Sequence, residues 1–303
     1  MPNAYPSTVT VNVGALSIED VVAVARYGAK VEIAPEALEE VAATRERVEE
    51  LAQDPTPVYG ISTGFGALAR RHIPEEMRAQ LQLSLVRSHA AGTGPEVEEE
   101  VIRALMLLRL STLCTGRTGV RPVVVETYAK ALNAGIVPVV REYGSLGCSG
   151  DLAPLAHCAL ALLGEGEVRV NGELKDAGDA LAAAGIEPLQ LREKEGLALI
   201  NGTDGMLGQL CLAITDLRAA AKTADIATAM TVEGLLGTLV VFADDLQQLR
   251  PHPGQADAAA NILQVAEGSE ILEAALEEFK KNQVQDAYSV RCAPQVAGGF
   301  RDT

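Results

Sequence analysis

Apolar residues recur every three or four positions along most of the chain, in blocks that glycine and proline separate. This spacing is typical of amphipathic helices. Ser17, with Asp20 three positions later, forms a capping pair, so a first helix should begin there and end near Tyr27, before Gly28. The same signals predict further helices over residues 35–53, from 74 to the segment 88–92, over 97–113, from the break at 115–122 to about 133, from 151 to 163, and over 206–222 and 227–242.

Two stretches follow a strand pattern instead. Residues 31–33 form a short strand candidate, and residues 167–174 place β-branched side chains around Asn171-Gly172, the pair preferred in a type I′ hairpin turn. We therefore expect a small β-ribbon within a mainly α protein. The last two predicted helices have almost no polar interruption, which predicts deep burial in a bundle core or an oligomer interface.

Composition agrees with a helical protein and excludes several classes of function. The 303 residues, 48% hydrophobic and 3% aromatic, are enough for a large core and one or two domains. A formal charge of −16 argues against nucleic acid and anionic membranes as partners, because both are bound through Lys and Arg. Residues 1–10 lack the features of a signal peptide. The apolar stretch 229–243 is short for a membrane span and contains Glu233.

The cysteines indicate a reducing compartment. Five is an odd number, and their spacing is not that of a disulfide framework. Cys114, Cys158 and Cys211 lie in apolar contexts, which favours buried thiols in a cytoplasmic protein. The four histidines are scattered and none pairs with a glutamate at metal-ligand spacing, so no metal site is expected.

The glycine-rich loop at residues 144–157 carries the most specific chemistry. Asp151 fits the N-cap of the apolar helix that follows, whose positive dipole end should face the loop. In Cys148-Ser149-Gly150, the amide nitrogen of Gly150 can attack the carbonyl carbon of Cys148 and close a five-membered ring. Dehydration of Ser149 then leaves an exocyclic methylene. The product would be an imidazolone electrophile made from the backbone itself.

Other interpretations of this loop are weaker or remain open. A phosphate could bind before a helix, but the lysine of the P-loop pattern is absent. The hydrolase nucleophile elbow needs one residue between serine and the final glycine, whereas Ser149 directly precedes Gly150. A plain structural turn remains open on the loop alone.

The segment Gly-Ser-Leu-Gly-Cys-Ser-Gly-Asp-Leu-Ala-Pro-Leu-Ala-His at residues 144–157 resembles the signature of the aromatic amino-acid ammonia-lyase family. That family forms 4-methylideneimidazole-5-one (MIO), usually from Ala-Ser-Gly. The resemblance implies MIO formation from Cys148, Ser149 and Gly150, without a metal or an external cofactor. Only the backbone carbonyl of the first residue reacts, so Cys148 in place of alanine should be tolerated, with its thiol left as a substituent.

Two further blocks in the first third of the chain match the family. Residues 58–66 resemble its Tyr-Gly loop, which implies that Tyr59 is the catalytic base, although an ordinary loop is the plain alternative. A phenol with the usual pKa near 10 is a weak base at neutral pH, so nearby positive charge or hydrogen-bond donors are required. Ser88-His89 resembles the pair of the histidine-specific members. It implies that His89 contacts the substrate ring, although a histidine at a helix end is more often structural.

Two blocks near the other end of the chain complete the resemblance. Residues 199–203 match a Leu-Ile-Asn-Gly-Thr segment, which implies that Asn201 lies at MIO and the substrate carboxylate; a helix cap is the plain alternative. Residues 283–295 resemble a family segment whose arginine would be Arg291, and arginine is suited to bidentate carboxylate binding. Tyr288 and Gln285 would lie beside the electrophile. A polar surface loop is the alternative here.

The resemblance also implies the fold and the reaction. The fold would be ammonia-lyase/fumarase-like, with an N-terminal MIO-bearing domain over residues 1–195 and the first part of a central helical bundle over 196–303. The reaction would be non-oxidative deamination of L-histidine to trans-urocanate, in the cytoplasm. The assembly would be a homotetramer whose active sites are shared between chains.

Family chains are considerably longer than this one. We therefore expect a cleaved, split or shortened chain and hypothesise a complementing C-terminal chain within a tetrameric assembly. Two other hypotheses stay open. One is a tyrosine or phenylalanine lyase, or an aminomutase, which a substrate panel would distinguish. The other is a non-catalytic scaffold subunit, which absence of MIO with retained oligomerisation would favour.

Overall fold

A computed structural model describes residues 5–147, 150–282 and 284–303, with only the backbone given for 278–282. Over these residues the chain is mainly helical, which confirms the predicted fold class. The chain folds into two compact units, Met1–Leu212 and Ala213–Thr303. The domain division predicted after residue 195 stays a prediction.

The helices begin and end close to the predicted positions in the first half of the chain. Ser17 Oγ accepts from the amide of Asp20, whose carboxylate accepts from the amide of Ser17, and Gly28 ends the helix in the left-handed conformation. In chain order the helices are α1 Ile18–Tyr27, α2 Pro35–Gln53, α3 Glu75–His89, α4 Glu99–Cys114, α5 Pro122–Asn133, α6 Leu152–Leu162, α7 Ala177–Ala183, α8 Glu195–Ile200, α9 Asp204–Gly234, α10 Asp244–Gln247, α11 Pro253–Val265, α12 Glu270–Asn282, α13 Tyr288–Arg291 and α14 Ala293–Arg301.

The prediction of two helices over 206–222 and 227–242 is wrong. The helix α9 continues unbroken to Gly234, because residues 222–227 contain neither glycine nor proline. Residues 240–242 form a short 3-10 helix. The predicted deep burial also fails for the chain by itself, since Leu210, Leu217 and Met230 are exposed. Burial of these side chains against another chain stays a prediction.

The first unit contains three small sheets among the described residues. The predicted hairpin is confirmed, with Asn171 at φ +52° and Gly172 at φ +78°, as a type I′ turn requires. The predicted strand at 31–33 is also confirmed and pairs in parallel with a strand near the N-terminus. The strands are β1 Thr8–Val11, β2 Lys30–Ile33, β3 Thr93–Glu96, β4 Ile136–Pro138, β5 Arg141–Tyr143, β6 Glu167–Val170 and β7 Glu173–Asp176, paired β1-β2, β3-β5 and β4-β6-β7.

Each unit has its own apolar core. In the first, α4 packs against α1 and α5, and α3, α6 and α8 pack against one another, which brings their ends close together. Cys114, Cys158 and Cys211 are buried in this core, as predicted, and burial raises the pKa of the Cys114 thiol to about 12. In the second unit, α11 packs on α14 beside the fully buried Phe242.

One helical segment of the described residues, Glu195–Gly234, is long and apolar enough to cross a membrane by length and composition alone. It is interrupted at residues 201–203. It also buries Asp204 and Asp225, each in an ion pair with an arginine. Buried charges that are paired in this way occur in protein cores, whereas exposing them to lipid costs free energy.

Candidate active site

The glycine-rich loop leads directly into α6, as predicted. Cys148 and Ser149, the first two residues of the proposed MIO tripeptide, lie outside the described residues. Gly150 is buried with φ +148°, a conformation that favours glycine. A Cβ placed on Gly150 would lie 2.7 Å from the carbonyl oxygen of Gly202. The third position of the tripeptide thus accepts only glycine, which fits ring closure through an unhindered amide nitrogen.

Asp151 connects this loop to the start of α9. Its amide donates to the carbonyl of Gly202 at 2.6 Å. Its carboxylate is 2% exposed and accepts from Ser145 Oγ at 2.7 Å and from the Met206 amide at 2.9 Å. Asp151 does occupy the N-cap position of α6, but the prediction that its side chain caps this helix is wrong, because the carboxylate binds the Met206 amide of α9 and the Ser145 hydroxyl instead. The N-termini of α6 and α9 therefore meet here, and both bring positive dipole ends to the loop.

A buried ion pair supports the neighbouring turn. Arg109 of α4 pairs with Asp204 at the start of α9, and both side chains are almost fully buried. The Arg109 guanidinium also donates to the carbonyl of Ala198 at 2.9 Å, and any side chain on Gly202 would collide with it. Sequence reasoning missed this pair. The one signal was a single arginine in the otherwise apolar stretch 104–110.

Asn201 follows α8 at this turn. Its amide donates to the carbonyl of Leu197 at 3.0 Å, so its backbone is the C-cap that the plain alternative describes. Its side chain is exposed and makes no hydrogen bond within the described residues. The backbone role and a ligand-binding role for the side chain are therefore compatible.

Tyr59 lies in a loop that its own hydrogen bonds hold in place. The Val58 amide donates to Ser62 Oγ at 2.9 Å. The Tyr59 hydroxyl accepts from the amide of Gly66 at 3.4 Å, and the two rings of Tyr59 and Phe65 meet edge to face at 6.0 Å between centroids. Tyr59 is 49% exposed. The loop is thus ordered while the phenol stays accessible, with a backbone donor at its oxygen.

Gln82, which sequence reasoning did not single out, joins the Tyr59 loop to α8. Its side chain is 1% exposed. Its Nε2 donates to the carbonyl of Gly60 at 3.3 Å, and its Oε1 accepts from the Leu197 amide at 3.2 Å. Both bonds go to backbone atoms of segments that carry predicted site residues, Tyr59 and Asn201.

His89 is the last residue of α3, and one of its two ring nitrogens already has hydrogen-bond partners. Its Nδ1 lies 2.9 Å from the carbonyl oxygen of Leu85 and 3.1 Å from Ser88 Oγ. Because a carbonyl oxygen only accepts, Nδ1 carries the proton, and Nε2 of the neutral ring is an acceptor. This geometry suits a ligand that donates an N–H.

The remaining predicted residues lie in the second unit. The Arg291 guanidinium carbon sits 4.2 Å from the centroid of the Tyr288 ring, a cation–π contact. Arg291 Nε is buried without a hydrogen-bond partner in the described residues. Tyr288 and Gln285 are exposed. The Nε of Arg291 is therefore a buried donor that no described residue satisfies, and a guanidinium is suited to bind a carboxylate.

The predicted residues therefore divide between the two units. Tyr59, His89, Gly150 and Asn201 belong to the first unit, where buried polar contacts join their segments; Gln285, Tyr288 and Arg291 belong to the second. Within the described residues, no three His, Cys, Asp or Glu side chains gather as a metal site would require.

Comparison with known proteins gives consistent matches. The family model of aromatic amino acid lyases matches residues 16–303. Histidine ammonia-lyase of Streptomyces avermitilis is 60% identical over 297 residues, which are 98% of this chain and 58% of that protein. This chain therefore spans less than two thirds of the length of this relative.

Two solved structures show the same fold. Tyrosine aminomutase from Streptomyces globisporus superposes with a TM-score of 0.89 at 40% identity, over 97% of this chain and 59% of that one. Histidine ammonia-lyase from Trypanosoma cruzi superposes with a TM-score of 0.85 at 37% identity, over 97% of this chain and 54% of that one.

Proposed function

Because the chain belongs to the aromatic amino acid lyase family, we propose that the protein eliminates ammonia from L-histidine and releases trans-urocanate. Its high identity to a histidine ammonia-lyase supports this substrate. The single observation that carries the proposal is the ring of His89, whose Nδ1 faces the Leu85 carbonyl and whose Nε2 is left as an acceptor. An imidazole N–H is the donor that such an acceptor would select.

We propose MIO, formed from Cys148, Ser149 and Gly150, as the electrophile. When formed, this group supplies an electrophilic methylene that activates the substrate for loss of its amino group. The close approach of Gly150 to Gly202 supports the assignment, because a side chain at position 150 would obstruct both the packing and the ring closure. The two helix N-termini at Asp151 favour negative charge that develops near the loop.

The other residues bind and orient the substrate or move its proton. Tyr59 removes the β-proton, for which its exposed hydroxyl and the Gly66 amide are suitably arranged. Arg291 holds the carboxylate through its guanidinium, whose Nε has no hydrogen-bond partner in the described residues, and Asn201 assists with its exposed side chain. Tyr288 and Gln285 lie beside the electrophile in this proposal.

We further propose that the protein acts in the cytoplasm as a homotetramer with active sites shared between chains. Membership of the family supports both statements. The exposed apolar side chains of α9, among them Leu210 and Leu217, support an interface.

Two measurements test the proposal. Mass spectrometry of the peptide covering residues 142–169 should find Cys148-Ser149-Gly150 two waters light, and L-histidine should yield a conjugated acrylate product. An unmodified Ser149 would contradict the proposal, and with oligomerisation retained it would indicate a scaffold subunit. A panel with L-tyrosine and L-phenylalanine distinguishes the other lyases, and a β-amino acid product would indicate an aminomutase, as in the S. globisporus relative.

The substitution His89→Phe tests the selectivity directly. It removes the acceptor and leaves an apolar ring, so preference should shift from histidine toward phenylalanine. Unchanged ratios of kcat/KM for the two substrates would show that His89 does not contact the substrate ring.

A further inference from the structure

His157 lies in α6, one turn beyond Ala153, and faces the segment that follows His89. Its Nε2 accepts a hydrogen bond from the amide of Gly92 at 3.1 Å. Gly92 comes three residues after His89, in the connection from α3 to β3. This hydrogen bond joins the segment after His89 to the helix that begins beside the proposed MIO tripeptide.

Gly92 is also closely packed against the residues around this hydrogen bond. A Cβ on Gly92 would lie 3.1 Å from His157 Nε2 and 3.3 Å from the Cβ of Arg141. A Cβ on Gly144 would lie 3.2 Å from the Cα of Gly92. Gly92 thus lies against α6, β5 and the first residue of the glycine-rich loop. A displacement of Gly92 would therefore change how the segment after His89 lies against that loop.

The hydrogen bond needs a neutral imidazole with its lone pair on Nε2. Burial, and secondly the charge of Arg141, lower the pKa of His157, so the ring remains an acceptor at neutral pH. Arg141 lies 3.7 Å from the carboxylates of both Glu96 and Glu167. Because these carboxylates offset the charge of Arg141, burial is the main cause that keeps the imidazole neutral for the Gly92 amide.

We propose that His157 is a positioning residue for substrate selectivity: by holding Gly92, it fixes His89 relative to the glycine-rich loop. This inference rests on the proposed function and adds to it a side chain that does not touch the substrate. A His89 ring that moves would lose contact with the substrate in the ground state and the transition state alike. Loss of His157 should therefore raise KM and leave kcat nearly unchanged.

The test compares three variants of the purified, assembled enzyme. His157→Leu removes the acceptor, His157→Gln retains one because its amide oxygen reaches about as far as Nε2, and His252→Gln alters an exposed histidine as the control. For His157→Leu we expect KM for L-histidine to rise roughly 2- to 10-fold, the range for one lost hydrogen bond. The preference for histidine over phenylalanine should fall by the same factor. His157→Gln and His252→Gln should resemble the wild type.

The selectivity ratio does not depend on the fraction of folded enzyme, so a purely structural role for His157 leaves it unchanged. A lower kcat with an unchanged ratio would overturn the proposal. Gly92→Ala disturbs the same contact from the opposite side. It should lower selectivity similarly; unchanged selectivity in Gly92→Ala would also overturn the proposal.

Hydrogen exchange at the Gly92 amide tests the contact without any turnover. Exchange should be slow in the wild type and His157→Gln, and faster in His157→Leu. Equal exchange in all variants, with histidine still a substrate, overturns this inference alone. If the wild type converts no histidine, the proposed function fails, and the selectivity role fails with it, even where the amide is protected.

Discussion

At the scale of single residues, the contact between Gly150 and Gly202 restricts position 150 to glycine. We expect Gly150→Ala to place its methyl carbon 2.7 Å from the carbonyl oxygen of Gly202, and so to prevent formation of MIO. Mass spectrometry of the 142–169 peptide should then show the unmodified mass. Gly135→Ala is a matched control, because Gly135 also has positive φ, at +67°, but has nothing within 4 Å. A peptide two waters light in Gly150→Ala would refute this account.

His157 also gives the stability of the fold a pH dependence. Its pKa is lowered in the folded chain from the usual 6.5, so near pH 6 the unfolded chain binds more protons at this position. The stability contribution is complete above about pH 6.5 and is lost as pH falls toward the folded pKa. Thermal midpoints between pH 5 and 8 should decline less toward acid in His157→Gln than in the wild type or His252→Gln. Parallel curves for all three would assign the acid decline to other groups.

At the scale of elements, helix ends were predictable where local residues determine them. Ser17, Asp20 and Gly28 define α1, and Asn171-Gly172 defines the hairpin, because each signal lies within the element itself. The strands β1, β3, β4 and β5 lack a hairpin turn of their own to mark them and depend on distant partners. The extent of α9 was misjudged because the break was placed in residues 222–227, which contain neither glycine nor proline, whereas the helix ends at Gly234, inside the apolar run.

The candidate site divides in the same way. Motif residues such as Tyr59 and Asn201 came from the resemblance to a family. Gln82 and Arg109 did not, because their partners are mainly backbone atoms and a carboxylate about 90 to 115 residues further along the chain. The local sequence of a helix does not predict which distant carbonyl group a polar side chain will bind.

The pair Arg109–Asp204 should be the most sensitive polar contact between elements of the first unit. Arg109→Met leaves the Asp204 carboxylate buried without its cation, which we expect to cost about 3–5 kcal/mol of stability. Adding Asp204→Asn should recover part of this loss, since the uncompensated charge is removed. Thermal unfolding measures both effects. Arg47→Met, at an exposed ion pair, should unfold at the same temperature as the wild type. Equal losses of stability in Arg47→Met and Arg109→Met would contradict the argument.

At the scale of the whole molecule, the exposed face of α9 requires an explanation. Leu207, Leu210, Ile214 and Leu217 follow one another at intervals of three and four residues, and the three leucines are 47%, 53% and 49% exposed. This is the spacing of a seam along which helices pack. A folded chain that presents such a row to water gains by burying it against a second helix.

In the proposed tetramer this row lies between chains, so a charge within it should weaken assembly. We expect Leu217→Glu to reduce the mass of the particle in solution, measured by light scattering, and to reduce activity together with mass because the sites are shared. Leu174→Glu is the matched control, since Leu174 is equally exposed, at 49%, but lies on the β-ribbon. A particle of unchanged mass in Leu217→Glu would mean that this face of α9 is covered by something other than a neighbouring chain of the assembly.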